Sequence, residues 1–357
     1  MYRTNSSTYK ELSYEGGESS NEATKRIVNV VEEALKNEHE NILMATHGYL
    51  MSLLIKFFNQ DFGFEQCQNL TNPDVLLLTS SKESENINFS HPHSLEIFRR
   101  MMDKNLKELL NKITVDYQLE RVSIDGIQAV WISTPQIQED KKVILYLHGG
   151  CYVSGNTEIY TTIPIQLAHS SQINILSIDY SLAPENPFPN GLNDVIKVFH
   201  YLCNHGYSAN NIGILGDSAG GGLALSMLLK LKEMNAKLPA ALGLLSPWAD
   251  LSFSGETFNT LAGVDPILSQ EQLSVFANMY VQKEDVKNPF ISSVYGDYKD
   301  FPPMMIIAGS HEILLSDSTR IAQNAMNQKV EVSLDIFNGL WHVFCADPTL
   351  PESKNAH

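Results

Sequence analysis

Hydrophobic and polar positions along this chain fall into two stretches. From Asn21, apolar residues recur at helical spacing (Ile27, Val30, Val31, Leu35), and residues 41–46 then make a continuous apolar strand ending in His47-Gly48. A helix is expected over 49–59 and a last apolar run over 75–78. Residues 80–86, Ser-Ser-Lys-Glu-Ser-Glu-Asn, are small, charged and polar and mark a boundary. Beyond it, Leu95, Phe98, Met101, Met102, Leu106, Leu109 and Leu110 lie close to helical spacing and predict an amphipathic helix that needs an apolar partner. A hairpin is expected over 119–124 and 127–132 around Asp125-Gly126.

From there short apolar runs alternate with helical stretches. Strands are predicted at 143–147, 173–179, 212–216, 241–245, 304–308 and 330–337. Helices are predicted near 161–169, 190–203, 223–229 and 318–327, with a helical insertion over about 250–290. Strands that are apolar on both faces and separated by helices imply an α/β fold with a mostly parallel sheet covered on both sides. The division expected is a first segment at 1–80, a linker at 81–90 and an α/β domain at 91–357.

Composition narrows the partners. The formal net charge of −16 over 357 residues argues against nucleic acid and anionic membranes, which both require a basic surface. The four cysteines (Cys67, Cys151, Cys203, Cys345) have no Cys-x-x-Cys spacing and read as reduced thiols of a cytoplasmic protein. The polar N-terminus does not read as a signal peptide, and the most apolar window, 42–58, is interrupted by His47 and Lys56, so no membrane span is expected.

Candidate chemistry gathers after predicted strands. Gly216-Asp217-Ser218-Ala219-Gly220 sits between a strand and a helical run, the context in which a serine hydroxyl projects from a sharp turn. A helix starting there aims its first amides, Ala219 N–H among them, at developing negative charge. Directly after strand 143–147 stands His148-Gly149-Gly150-Cys151, where paired glycines let backbone N–H groups approach a substrate oxygen. Late in the chain comes His342, in the order a serine, acid and histidine triad would follow.

Residues from about 91 onward resemble the hormone-sensitive-lipase-like branch of α/β-hydrolases, the bacterial family IV esterases. The resemblance rests on Tyr146-Leu147-His148-Gly149-Gly150, residues 179–185 (Asp-Tyr-Ser-Leu-Ala-Pro-Glu), residues 216–221 and Phe301-Pro302-Pro303, in that order. It implies hydrolysis of carboxylic esters of modest acyl length, without metal or cofactor, under a helical cap formed here by 91–115 and 250–290. It also implies Ser218 as nucleophile, His342 as base, and an oxyanion hole drawn from Gly149, Gly150, Cys151 and Ala219. Cys151 stands where the family has a third glycine, so a glycine-type backbone angle there is expected to be strained.

The acid is the departure. The resemblance aligns the family's aspartate with His311, and a neutral imidazole cannot stabilise an imidazolium as a carboxylate does. Glu312, adjacent and longer, is the preferred substitute, with Asp317 the second choice. The fifteen positions after His342 also fall short of the final helix that supports this loop in the family. Two outcomes stay open: an esterase weakened at its acid, and a hydrolase scaffold that binds an acyl ligand or partner without turnover.

Residues 1–80 carry a separate resemblance. Gly16-Gly17-Glu18-Ser19, Thr46-His47-Gly48 and Asn72-Pro73-Asp74 resemble the C-terminal half of a histidine phosphatase (phosphoglycerate mutase-like) domain. His47 matches only that family's second histidine. The Arg-His-Gly that carries the phosphate occurs nowhere in this sequence, which argues against a phosphatase acting through this segment.

Overall fold

The computed structural model describes residues 25–26, 94–137 and 141–356. The chain divides into units at Met1–Glu83 and Ser84–His357, and all but two of the described residues belong to the second. The expected helix, strand and His47 turn before residue 80 and the linker at 81–90 otherwise lie outside the described residues.

The second unit is an α/β fold around an eight-stranded sheet. Its elements are α1 (Ser94–Leu110), β1 (Gln118–Ile124), β2 (Ile127–Ser133), β3 (Val143–Leu147), α2 (Thr162–Ser171), β4 (Asn174–Ile178), α3 (Asn190–Asn204), β5 (Ile212–Asp217), α4 (Ala219–Glu233), β6 (Ala241–Leu245), α5 (Thr257–Thr260), α6 (Gln270–Val281), β7 (Met304–Gly309), α7 (Leu315–Asn327), β8 (Val332–Phe337) and α8 (Pro351–Ala356). Strand order is β1-β2-β4-β3-β5-β6-β7-β8. β2 pairs antiparallel with β1 and β4, and every later pairing is parallel. The chain leaves β3 for β4 on one side and returns to β5 on the other. The reversal opens a crevice beyond the C-terminal ends of β3 and β5, the position where such sheets hold ligands.

Strand periodicity divides the core. On β3, Val143, Leu145 and Leu147 point into the larger apolar cluster with residues of α3, α4, α6 and α7. Tyr146 points to the opposite face, among residues of α2 and α8 and the segment at 344–346. α4 is buried continuously from Ala219 to Leu229, as its unbroken apolar run requires. α1 finds its partner in the expected insertion: the Phe98 ring lies 4.6 Å from that of Phe276 on α6.

Two expectations need correction. α7 begins at Leu315, three residues before the predicted start, because Asp317 and Ser316 are held inward by hydrogen bonds rather than forming a polar lead-in. Beyond His342 the chain does form a supporting helix, α8: Ser353 Oγ donates to the carbonyl of Cys345 at 2.7 Å, and Ala356 packs in the second apolar cluster. Among the described residues no helix is long and apolar enough to cross a membrane.

Candidate active site

β5 carries the chain into the crevice and α4 carries it away, so the turn at Ser218 is tight. Ser218 has φ 52° and ψ −121°, backbone strain of the kind stored at functional sites. β6 and the loop after it hold it there: Ser218 N–H donates to Leu245 O, and Trp248 N–H donates to Ser218 O, both at 2.8 Å. The flanking glycines are required by space. A Cβ on Gly216 would sit 2.3 Å from Gly220 O, and one on Gly220 would sit 2.0 Å from Leu147 O.

His342 lies on the loop after β8, 8% exposed. Its Nε2 is 3.0 Å from Ser218 Oγ and its Nδ1 is 2.6 Å from Glu312 Oε2. Glu312 is fully buried, and its Oε1 accepts from Gly309 N–H at 2.9 Å and Ser246 Oγ at 3.0 Å.

His311, which the sequence aligned with the acid, is exposed and turned away. The turn after β7 is stitched to the β8 side by Ser310 N–H to Phe337 O and His311 N–H to Leu340 O. That stitching turns residue 312 inward and residue 311 to solvent. Asp317 does not reach the histidine either. Its Oδ2 accepts from the amides of Ala249 and Asp250 at 2.8 Å each, and burial, with the Asp250 charge adding, pushes its carboxyl well above the usual range.

The loop after β3 supplies backbone donors, with one correction. Gly149 N–H is committed to Asp217 Oδ1 at 2.9 Å, so it anchors the loop to the elbow and is not available to a substrate. The amides of Gly150 and Cys151, with Ala219 at the start of α4, remain the candidates. Gly150 has φ +107°, and a Cβ there would lie 2.2 Å from Ser154 O. Cys151 adopts φ 58°, the left-handed angle expected where the family has glycine. Burial pushes its thiol up to about 12, with the Asp217 charge adding, so the thiolate is not available as a nucleophile.

Four side chains beside these residues, Asp217, Tyr146, Ser246 and His148, have roles that the sequence alone does not show. Asp217 Oδ1 also accepts from Tyr146 OH at 2.5 Å, and burial raises its carboxyl to about 6 against those hydrogen bonds. In the sequence Tyr146 stands only as the first residue of Tyr146-Leu147-His148-Gly149-Gly150, with nothing to mark its partner. Ser246 had no signal beyond its place at a strand end. His148 is buried against Tyr180, and desolvation lowers it to about 4, so it is a neutral packing element of the loop. Among the described residues no cluster of three or more His, Cys, Asp or Glu side chains could hold a metal ion.

A hydroxyl, an imidazole and a carboxylate in hydrogen-bonded series, beside a loop and a helix start that present amides, can perform acyl transfer. Residues 144–346 match the family model described as alpha/beta hydrolase fold. Residues 2–88 match that of the histidine phosphatase superfamily, branch 1. The chain is 30% identical to an acetyl-hydrolase of Streptomyces hygroscopicus over 236 residues, 66% of this chain and 78% of that one. It is 32% identical to an esterase of Acinetobacter venetianus over 218 residues, 60% and 72% of the two chains. An esterase from the bacterial hormone-sensitive lipase family superposes with TM-score 0.70 at 34% identity, over 73% of this chain and 88% of that one. Esterase EstE5, from a crystal soaked with p-nitrophenyl butyrate, superposes with TM-score 0.71 at 33% identity, over 77% and 91%. The chain belongs to the α/β-hydrolase family, in its hormone-sensitive-lipase-like branch.

Proposed function

We propose that this chain hydrolyses carboxylic esters of small to medium acyl groups through an acyl-enzyme on Ser218. The observation that carries the reading is the series Ser218 Oγ, His342 and Glu312 at 3.0 and 2.6 Å. Ser218 Oγ bonds to the acyl carbon while His342 Nε2 takes its proton, and the carbonyl pair moves onto oxygen. Collapse of that oxyanion breaks the ester bond, and His342 returns the proton to the leaving alcohol. Water then repeats the sequence, and the acid leaves with Ser218 restored. Glu312 holds the imidazole in orientation and balances its charge, and the amides of Gly150, Cys151 and Ala219 receive the oxyanion.

The acetyl-hydrolase and esterase among the relatives support a short acyl group. Segments 91–115 and 250–290, joined through Phe98 and Phe276, serve as the cap in this reading. A cytoplasmic location fits Cys151, Cys203 and Cys345, none of which forms a disulfide. The non-catalytic scaffold drew on His311 at the acid position and on the short C-terminus; Glu312 beside His342 and the helix α8 speak against both grounds. Turnover of p-nitrophenyl acetate and butyrate tests the reading: hydrolysis lost in Ser218→Ala supports it, and hydrolysis unchanged in that variant overturns it.

A further inference from the structure

Ser246 lies immediately after β6, 1% exposed, with φ 47°, a left-handed angle that a non-glycine residue adopts only under constraint. Its amide donates to Ile307 O on the neighbouring β7 at 2.7 Å. Its Oγ lies 3.0 Å from Glu312 Oε1 and 3.0 Å from the amide nitrogen of Val343, the residue after His342. The direction of both bonds follows from the groups. An amide N–H can only donate, so Oγ accepts from Val343. The single hydroxyl proton of Ser246 is then the one donated to Glu312 Oε1.

We propose that Ser246 is a positioning residue for this reaction: one hydroxyl fixes the acid and the histidine loop relative to each other. The inference rests on the reading of Ser218, His342 and Glu312 given above. A glutamate has one more rotatable bond than an aspartate, and its terminal torsion is broad. With Gly309 N–H and Ser246 Oγ both on Oε1, the carboxylate cannot turn without breaking two hydrogen bonds, and Oε2 stays on His342. Through Val343 the same oxygen holds the loop that carries the imidazole, itself at a left-handed φ of 50°. Three adjacent strands, β6, β7 and β8, therefore deliver their following loops to one atom.

Ser246→Gly removes the hydroxyl and also relieves the left-handed angle, so lost activity cannot be assigned to a strained backbone. The expected result is a fall in kcat of about 10- to 100-fold, the range covered by a hydrogen bond to a charged group, with KM within about threefold. The downfield proton resonance of the His342–Glu312 hydrogen bond, assigned by its absence in His342→Ala, should broaden or vanish in Ser246→Gly while thermal unfolding stays cooperative. Where that resonance is broadened already in the parent protein, the kcat-against-KM split decides. A kcat within twofold of the parent overturns the proposal. So does a loss confined to KM, or a lower kcat with the resonance unmoved. If neither Ser246→Gly nor Ser246→Ala folds, the hydroxyl serves the fold and the proposal also fails. Turnover that survives Ser218→Ala would instead overturn the underlying reading, so the two failures are distinct.

Discussion

Glu312 meets Nδ1 of His342 at 2.6 Å across thirty residues of sequence, while its neighbour His311 faces solvent. A one-residue difference in register thus separates a protein with a carboxylate behind its histidine from one without. Glu312→Gln keeps the shape and removes the charge, and kcat should fall on the order of 10⁴-fold, as when a triad aspartate is neutralised. His311→Ala should stay within about twofold of the parent, since no part of its side chain enters the site. Steady-state kinetics on p-nitrophenyl butyrate distinguishes the two, and a large effect at His311 with none at Glu312 would contradict this geometry.

The loop after β3 makes a second prediction. Gly150→Ala places a methyl group 2.2 Å from Ser154 O, at a φ that side chains rarely adopt, and the amides beside it must move. Loss of an aligned oxyanion donor costs about 10²- to 10³-fold in kcat, and that is the drop expected. Cys151→Ala keeps the amide and should retain activity within about threefold. Iodoacetamide should inactivate the parent slowly, because the thiol is buried and raised to about 12. Rapid stoichiometric inactivation through Cys151 would contradict this assignment.

Asp217 gives stability a pH dependence whose sign follows from burial. Its carboxyl titrates near 6 in the folded chain, raised by desolvation, against about 3.9 when unfolded. Between those values the folded state holds a proton that the unfolded state has released. Its contribution therefore destabilises progressively as pH rises from about 4 to about 6, by up to roughly 3 kcal/mol, and is constant beyond. Asp217→Asn lacks this titration. Urea unfolding of both proteins at pH 4.5 and pH 7 should show the stability of the parent relative to the variant falling with pH. A difference that does not change across the window would refute it.

Packing of α1 on α6 is open to a simpler test. Phe98 is 4% exposed and touches Phe276 ring to ring. Phe98→Ala should destabilise the domain by about 3–5 kcal/mol, the cost of truncating a buried phenylalanine. Urea denaturation reads this directly, and a change under about 1 kcal/mol would mean that α1 does not dock there.

The parts of this site legible in the sequence are those where chemistry and local geometry coincide. Ser218 needs glycines two residues away on either side, His148-Gly149-Gly150 must follow a strand end, and the alternation of apolar runs leaves few options besides a parallel sheet. Glu312 is legible only as the preferred substitute for His311, because its inward direction is decided by backbone bonds from Ser310 and His311 to another strand's loop, which no local pattern records. Gly149 reads as an oxyanion donor until Asp217, sixty-eight residues later, takes its amide. The roles of Ser246 and Tyr146 escape the sequence for the same reason: they exist only once β3, β5, β6 and β7 lie side by side. The final helix was missed because Pro-Glu-Ser-Lys-Asn-Ala has little apolar periodicity and is held by one buried serine and one alanine.

The most direct test is where a covalent acyl-type adduct forms. Treating the protein with diethyl p-nitrophenyl phosphate and measuring intact mass, followed by peptide mapping, should reveal one diethylphosphoryl group per chain on Ser218, with none in Ser218→Ala. Modification at another residue, or none while ester hydrolysis continues, would contradict Ser218 as the nucleophile.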